Sequence, residues 1–161
     1  IPVHLGSMPD AVAAIVGRRT SPGDLWIIND PFAGGTHLPD VTLISPIFAA
    51  DRLVAWAANR AHHADIGGRT PGSMPADSRR LDEEGVVIEP QLIDDAGLRS
   101  LVERMRNPPQ RLADLRAQRA ANLLGIRRLG ELAERNGIEL IEAAMEATLD
   151  YTERRVRAAK R

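Results

Sequence analysis

The sequence VTLISPIF at residues 41–48 is followed by AADR at 49–52 and by LVAWAAN at 53–59. Two apolar segments of strand length, joined by a short polar connection, are typical of an antiparallel β-hairpin. Pro46 has no N–H to donate, which places it at a sheet edge or at a bulge. We therefore predict a small sheet that is built on this hairpin.

Shorter elements flank the hairpin. Ser7-Met8-Pro9-Asp10 predicts a helix start with Ser7 as its cap. The helix then runs from Asp10 to Arg19, and its inner face carries Val12, Ile15 and Val16. Leu25 to Ile28 predicts a short buried strand, and Val86 to Ile88 predicts another brief strand.

The second half of the chain changes from strand to helical spacing. After Asn107-Pro108-Pro109 the apolar residues recur with a helical period, and Asn136-Gly137 ends this helix. A second helix is expected from Ile138 to about Lys160. The short turn between them favours an antiparallel helix pair. The residues expected to face inward in the second helix are Ile141, Met145, Leu149 and Val156.

These patterns predict an α+β fold. Residues 1–107 form the α+β region with a small, mostly antiparallel sheet and irregular metal-binding loops, and residues 108–161 form the helical hairpin. The chain opens at Ile1 without Met, in what resembles the middle of a strand. We therefore expect it to be a fragment of a longer polypeptide.

Composition excludes several classes of protein. The chain has 161 residues and no cysteine, so thiol catalysis, disulfides and cysteine-bound zinc are excluded. A net charge of -1, with only two Trp, two Phe and one Tyr, argues against a nucleic-acid partner. No apolar run approaches the roughly 20 residues of a membrane span. Nothing marks the chain for export, so we expect a cytoplasmic protein with no membrane partner.

The polar loop from Asn29 to Asp40 is the first candidate for chemistry. Gly34-Gly35 permits backbone conformations that let the chain fold tightly around a small object. Pro39 holds the preceding residue extended, so His37 and Asp40 can converge without a helix. Imidazole and carboxylate are ligands for Zn, Mn or Fe.

A second polar segment, from Asn59 to Gly68, follows the hairpin's return strand. In an extended chain His62 and His63 point to opposite faces, so only one of them can join His37 and Asp40 at the open end of the hairpin. A bulge would reverse which one it is. This convergence predicts a metal site, although a His-x-x-Asp pair is more commonly a surface hydrogen bond.

Three further polar residues remain open. Asp30 and Asp65 are each compatible with a ligand, a general base or a partner that orients an imidazole, while an Asp in a turn most often bonds its own backbone. His4, near Gly6, is expected at a strand end, in the core or beside the ligands.

Several segments resemble one family. HLGSMP at 4–9, the loop at 29–40, AANRAHHADIGG at 57–68 and PGSMP at 71–75 are similar to stretches that occur in this order in the hydantoinase B/oxoprolinase family. The resemblance implies ATP-dependent chemistry on a cyclic amide or ketone, divided between two subunits of a hetero-oligomer. An A-type partner would use ATP to phosphorylate the substrate oxygen, and the B-type subunit would complete hydrolysis at a Zn or Mn site.

Carried onto this sequence, the family's metal ligands fall on His37, Asp40 and His62. A further carboxylate ligand of the relatives is expected upstream of Ile1. Asp65 is our candidate for the general base, because it lies beside a ligand and ends the same turn. The alternatives are the equivalent subunit of an ATP-dependent ketone carboxylase of the acetone or acetophenone type, or a non-catalytic fragment that is stabilised by a metal or serves in an interaction.

Overall fold

A four-stranded antiparallel sheet forms the centre of the computed structural model, which describes residues 2–49 and 51–160. The strand order is β3-β2-β1-β4, with β1 at Trp26–Ile28, β2 at Asp40–Ala49, β3 at Arg52–His62 and β4 at Gln91–Leu92. The helices are α1 at Pro2–Ala13, α2 at Asp95–Val102, α3 at Pro108–Asn136 and α4 at Ile138–Ala159, and a 3-10 turn covers Leu81–Glu83. The predicted α+β class with a small antiparallel sheet is confirmed.

The hairpin of β2 and β3 forms as predicted, and its register fixes the site described below. Asp40 pairs with His62, and Thr42 pairs with Arg60. Because β1 is short, only three residues of β2 pair with it, and Pro46 lies in the part of β2 that pairs with β3 alone. Pro46 itself pairs in register with Trp56, and a register irregularity follows between Ile47 and Phe48. The unpaired side of β2 at this position accommodates the missing N–H.

The two faces of the sheet carry separate apolar clusters, because side chains alternate along each strand. On one face Trp26, Ile28 and Ile44 pack against Ala11 and Ile15 of the α1 region. On the other face the strands pack against α2 and α3 through a larger cluster that includes Ile27, Val41, Leu43, Leu98, Val102 and Leu115. The sheet is therefore covered on both faces, and Leu115 makes α3 part of the same core as the strands.

Two buried amides attach α3 to the sheet, and no sequence pattern predicted this attachment. The amide group of Gln118 donates to the carbonyl oxygen of Val41 at 3.0 Å and to Asn59 Oδ1 at 2.7 Å. The amide group of Asn122 donates to the carbonyl oxygen of Leu43 at 3.2 Å. These bonds satisfy polar groups that packing removes from water, and they fix the register of the helix on the sheet.

The predicted helix start at Ser7 is wrong. Helix α1 begins at Pro2, contains Pro9 and ends at Ala13, where turns replace the expected continuation to Arg19. The Ser7 hydroxyl donates to the carbonyl oxygen of His4, one turn back, instead of capping a new helix. His4 accordingly lies on a helix rather than at a strand end. The interpretation of Ile1 as part of a strand falls outside the described residues.

The face assigned to the first helix is only partly correct. Ala11 and Ile15 are fully buried and Val12 packs beside them, but Val16 is exposed. The helix ends at Ala13, and of the two predicted residues beyond it Ile15 stays in the apolar cluster while Val16 does not.

The brief strand predicted at Val86–Ile88 is also wrong, since the fourth strand is Gln91–Leu92. The backbone at 86–88 is bonded in other ways: the Val86 N–H donates to Ile66 O, and the Ile88 N–H donates to the side-chain oxygen of Asn29. Helix α2 was missed, although Asp94 is a recognisable cap whose carboxylate accepts the Gly97 N–H at 2.7 Å.

Helix α3 ends where predicted, because Gly137 adopts a positive φ of 83° there. Helix α4 follows at once, but every residue from Ala143 to Lys160 is exposed, and Leu149 retains 71% of its accessible surface. The inward orientation predicted for Met145, Leu149 and Val156 is therefore wrong, whereas Ile141, in the first turns of α4, is partly buried. A helical apolar spacing predicts an amphipathic helix but does not say what covers it.

Within the described residues, no helix combines the length and apolarity that crossing a bilayer requires.

Candidate functional site

A cluster of three imidazoles and one carboxylate lies at the open end of the hairpin, on the face that α1 covers. Asp40, at the start of β2, places Oδ1 at 2.9 Å from His62 Nδ1 and Oδ2 at 3.0 Å from His4 Nε2. The ring of His37 stacks on the ring of His62 with 5.5 Å between centroids. The structure thus brings together the three predicted ligands, His37, Asp40 and His62, and adds His4 from α1.

The loop before β2 is shaped by its two glycines. Gly34 has a φ of 102°, and a Cβ at Gly35 would lie 2.2 Å from the carbonyl oxygen of Asn29. Only glycine allows this approach, which lets the loop turn back so that the Asp40 N–H donates to the carbonyl oxygen of His37 at 2.7 Å. The buried Asn29 side chain holds the loop by donating to Leu38 O at 2.8 Å.

Strand alternation separates the two adjacent histidines, as predicted. His62 is half exposed and bonds Asp40, whereas His63 is 2% exposed and lies against α3. His63 Nε2 is 2.8 Å from the Gln118 side-chain oxygen, so this nitrogen carries the proton that it donates. Burial lowers the pKa of His63. Of the two histidines, His62 is therefore the one that shares a surface with Asp40 and His37.

The charge of Asp40 is maintained by its neighbours. Burial opposes ionisation of this carboxyl, but the hydrogen bond from His62 and the charges of His4, His62 and His37 outweigh burial and lower the pKa of Asp40. The Thr36 hydroxyl also donates to Asp40 Oδ2 at 3.3 Å. The site thus presents an ionised carboxylate that is 6% exposed and enclosed by imidazoles.

Arg60 is a further polar residue of the site, and the sequence analysis missed it. It precedes His62 by two residues on β3, so both side chains lie on the α1 face of the sheet. Its guanidinium donates to the Thr42 hydroxyl at 2.7 Å and to the Ser7 hydroxyl on α1. Because side chains alternate along a strand, the sequence alone places residue 60 on the same face as His62. This alternation could have identified Arg60 as a residue of the site.

The donor set suits a divalent metal ion in its chemistry, because imidazole and carboxylate are the ligands that Zn and Mn take. Among the described residues, however, no group of three His, Asp or Glu side chains is spaced to hold an ion. Both Asp40 oxygens instead contact imidazole nitrogens at hydrogen-bond distance. An ion would have to replace these hydrogen bonds, and metal binding by His37, Asp40 and His62 stays a prediction.

Asp65 lies in a different environment from the cluster. Its carboxylate accepts hydrogen bonds from the Gly67 N–H at 2.9 Å, the Gly72 N–H at 2.8 Å and the Ser73 hydroxyl at 2.9 Å, and it forms an ion pair with Arg106 at 2.8 Å. Burial raises the pKa of Asp65, but Arg106 and the other donors outweigh it and lower this pKa to about 2. So strong a stabilisation of the anion favours a structural role in the loop over a general base, and the base assignment stays a prediction.

Asp30 also bonds its own loop. Its Oδ1 accepts the Phe32 N–H at 2.9 Å, which is an Asx turn. Asp30 therefore has the role that is usual for an Asp in a turn, which is to bond the backbone of its own loop.

The comparisons with known proteins agree with one another. The sequence model of the family Hydantoinase B/oxoprolinase matches residues 1–160. The 5-oxoprolinase of Dictyostelium discoideum is 40% identical over 154 residues, which are 90% of this chain and 12% of that protein. The caprolactamase subunit beta of Pseudomonas jessenii is 34% identical over 170 residues, which are 100% of this chain and 29% of that protein.

Two solved structures share the fold. The crystal structure of the ATP-dependent caprolactamase from Pseudomonas jessenii superposes with a TM-score of 0.87 and 32% identity, over 98% of this chain and 29% of that one. The nucleotide-free acetone carboxylase superposes with a TM-score of 0.80 and 22% identity, over 87% of this chain and 20% of that one. The chain therefore spans less than a third of the length of each relative.

Proposed function

We propose that this chain, which belongs to the Hydantoinase B/oxoprolinase family, contributes the hydrolytic centre of a B-type subunit that acts on ATP-activated cyclic amides. The observation that carries the proposal is the contact of one buried carboxylate, Asp40, with both His62 and His4, beside His37. Relatives named 5-oxoprolinase and caprolactamase support the cyclic amide as the substrate class.

The chemistry of a lactam explains why two activities are needed. Resonance makes the amide carbonyl a poor electrophile, and phosphorylation of its oxygen by an ATP-using A-type partner removes that protection. Zn or Mn, held by His37, Asp40 and His62, would supply hydroxide at neutral pH by lowering the pKa of bound water towards about 7. His4, on the other oxygen of Asp40, would keep the carboxylate oriented.

The proposed partner follows from how a relative is named. The caprolactamase chain is a subunit beta, which supports a hetero-oligomer in which a second subunit supplies another activity. We assign ATP binding to that A-type partner. Cytoplasmic location is part of the same proposal.

The experiment is an ATP-dependent ring-opening assay. The full-length protein is co-purified with its A-type partner and incubated with 5-oxoproline, caprolactam or hydantoin, with and without ATP. We expect the complex to hydrolyse the amide only when ATP is present. The variants His37→Ala and His62→Ala should each reduce the rate of hydrolysis at least a hundredfold. Arg52→Gln, on the same strand but exposed and paired with Glu142, is the matched control and should retain activity.

Two outcomes would contradict the proposal. Full activity in both histidine variants would remove the cluster from the reaction. Bicarbonate-dependent turnover of a ketone, without hydrolysis of any amide, would assign the chain to a carboxylase. The similarity to acetone carboxylase supports a shared fold and does not decide between the two activities.

A further inference from the structure

Arg60 makes no direct salt bridge with a carboxylate of the described residues, and the charge of Asp40 acts on it only at longer range. Among the described residues its hydrogen-bond partners are neutral: the hydroxyls of Ser7, Thr36 and Thr42, and the carbonyl oxygen of Gly34. Most arginines of this chain that bond an acid do so at the surface, as Arg52 does with Glu142. Arg60 is half-buried instead, and it forms no ion pair within the part of the chain that the structure describes.

The position of Arg60 relates it to the proposed hydrolytic centre. It pairs across the hairpin with Thr42, and His62 pairs with Asp40 one step along the same face. Arg60 also contacts α1 through Ser7, one turn from His4. The guanidinium and the imidazoles therefore lie on the same face of the sheet, on the side that α1 covers.

The bonds that hold Arg60 also orient it. Thr42 accepts from Nε at 2.7 Å, and Ser7 accepts from Nη1. The contacts of Nη1 with Thr36 and of Nη2 with Gly34 are long, at 3.4 Å each. Thr42 and Ser7 thus hold Nε and Nη1, whereas Nη2 makes only the long contact with Gly34 O among the described residues and can bond a ligand.

We infer that Arg60 is a substrate-binding residue that holds an oxyanion next to the Asp40 cluster. A guanidinium recognises phosphate or carboxylate through paired N–H groups, and such charge-assisted bonds are about twice as strong as neutral ones. The oxyanion is the phosphate of an activated substrate or a carboxylate of the substrate itself. This assignment of the ligand rests on the proposed function.

The test is calorimetric titration of the full-length protein with inorganic phosphate and, separately, with acetate. We expect Arg60→Gln to weaken the binding of phosphate at least tenfold. Arg60→Lys should weaken it less, because lysine keeps the positive charge but lacks the paired N–H groups of a guanidinium. Comparable binding of acetate, with the same dependence on Arg60, would identify the substrate carboxylate as the source. Arg52→Gln should leave both affinities unchanged.

Thermal unfolding and metal content are measured on each variant. If Arg60→Gln does not fold, Arg60→Lys provides the same comparison. Phosphate affinity that is absent in the wild type, or that Arg60→Gln and Arg52→Gln lower equally, would overturn the inference. The proposed function is tested separately: a wild type that hydrolyses amides with ATP but binds no oxyanion through Arg60 would contradict this inference alone.

Discussion

The carboxylate of Asp40 lies 2.9 Å from the imidazole of His62, although the two residues are separated by 22 positions and the whole hairpin. They are cross-strand partners in the register of β2 and β3. The same carboxylate reaches His4 on a third element. The buried carboxylate of Asp40 thus links β2 to β3 and to α1, at the place where most histidines of the chain lie.

The first prediction separates the two adjacent histidines. His62→Ala removes an exposed side chain together with one hydrogen bond to the buried Asp40, so it should reduce bound metal severalfold and cost about 1 kcal/mol of the free energy of unfolding. His63→Ala removes a buried ring and leaves the side-chain oxygen of Gln118 without its hydrogen-bond donor, so it should cost about 3 kcal/mol but retain the metal. Metal analysis and denaturant unfolding of both variants check this, and the reverse pattern would contradict the assignment.

The second prediction concerns acid stability. The folded pKa of Asp65 is about 2, below its usual value of 3.8, so its ionisation stabilises the fold above about pH 4 and this contribution is lost as the pH falls towards 2. The contribution amounts to about 2 kcal/mol. Asp65→Asn should therefore lower stability at pH 7 and flatten its dependence on pH below 4. Unfolding curves from pH 7 to pH 2 measure both effects.

The control for Asp65 is Asp77→Asn, since Asp77 is an exposed acid that pairs with Arg69. It should change stability by less than about 0.5 kcal/mol.

Turnover of the Asp65→Asn variant also decides the chemical role of Asp65. Normal turnover with metal retained would exclude Asp65 as the general base.

The third prediction tests the loop that carries His37. A Cβ at Gly35 would lie 2.2 Å from a backbone oxygen, so Gly35→Ala must shift the loop and should cost about 3 kcal/mol or more, together with the metal. Gly130→Ala, inside α3 with open space around it, should instead stabilise the protein by about 0.5–1 kcal/mol. Thermal unfolding of the pair measures both, and equal stability of the two variants would refute the tight approach at Gly35.

The hairpin was predictable because its signal is local. Two apolar segments around a short connection determine their own pairing, and strand parity then places His62 and His63 on opposite faces. The end of α3 was equally local, because Asn136-Gly137 stops a helix whatever surrounds it.

The features that were missed depend on contacts between distant elements. The signal at Ser7 resembled a cap, but the helix begins at Pro2, and this earlier start brings His4 to Asp40. Strand parity placed Arg60 on the same face as His62, but its contacts with Ser7 of α1 and Thr36 of the preceding loop could not be predicted from the sequence. The apolar spacing of α4 gave no information about its exposure, since spacing does not identify what packs against a helix.

The most direct test of the account is an anomalous diffraction experiment on crystals of the full-length protein, purified with Zn or Mn and collected at the absorption edge of that metal. The account predicts one strong peak at the open end of the hairpin, about 2.0–2.2 Å from ligand atoms of His37, Asp40 and His62. An ordered cluster with the direct Asp40–His62 hydrogen bond intact, and the metal absent or bound elsewhere, would contradict it.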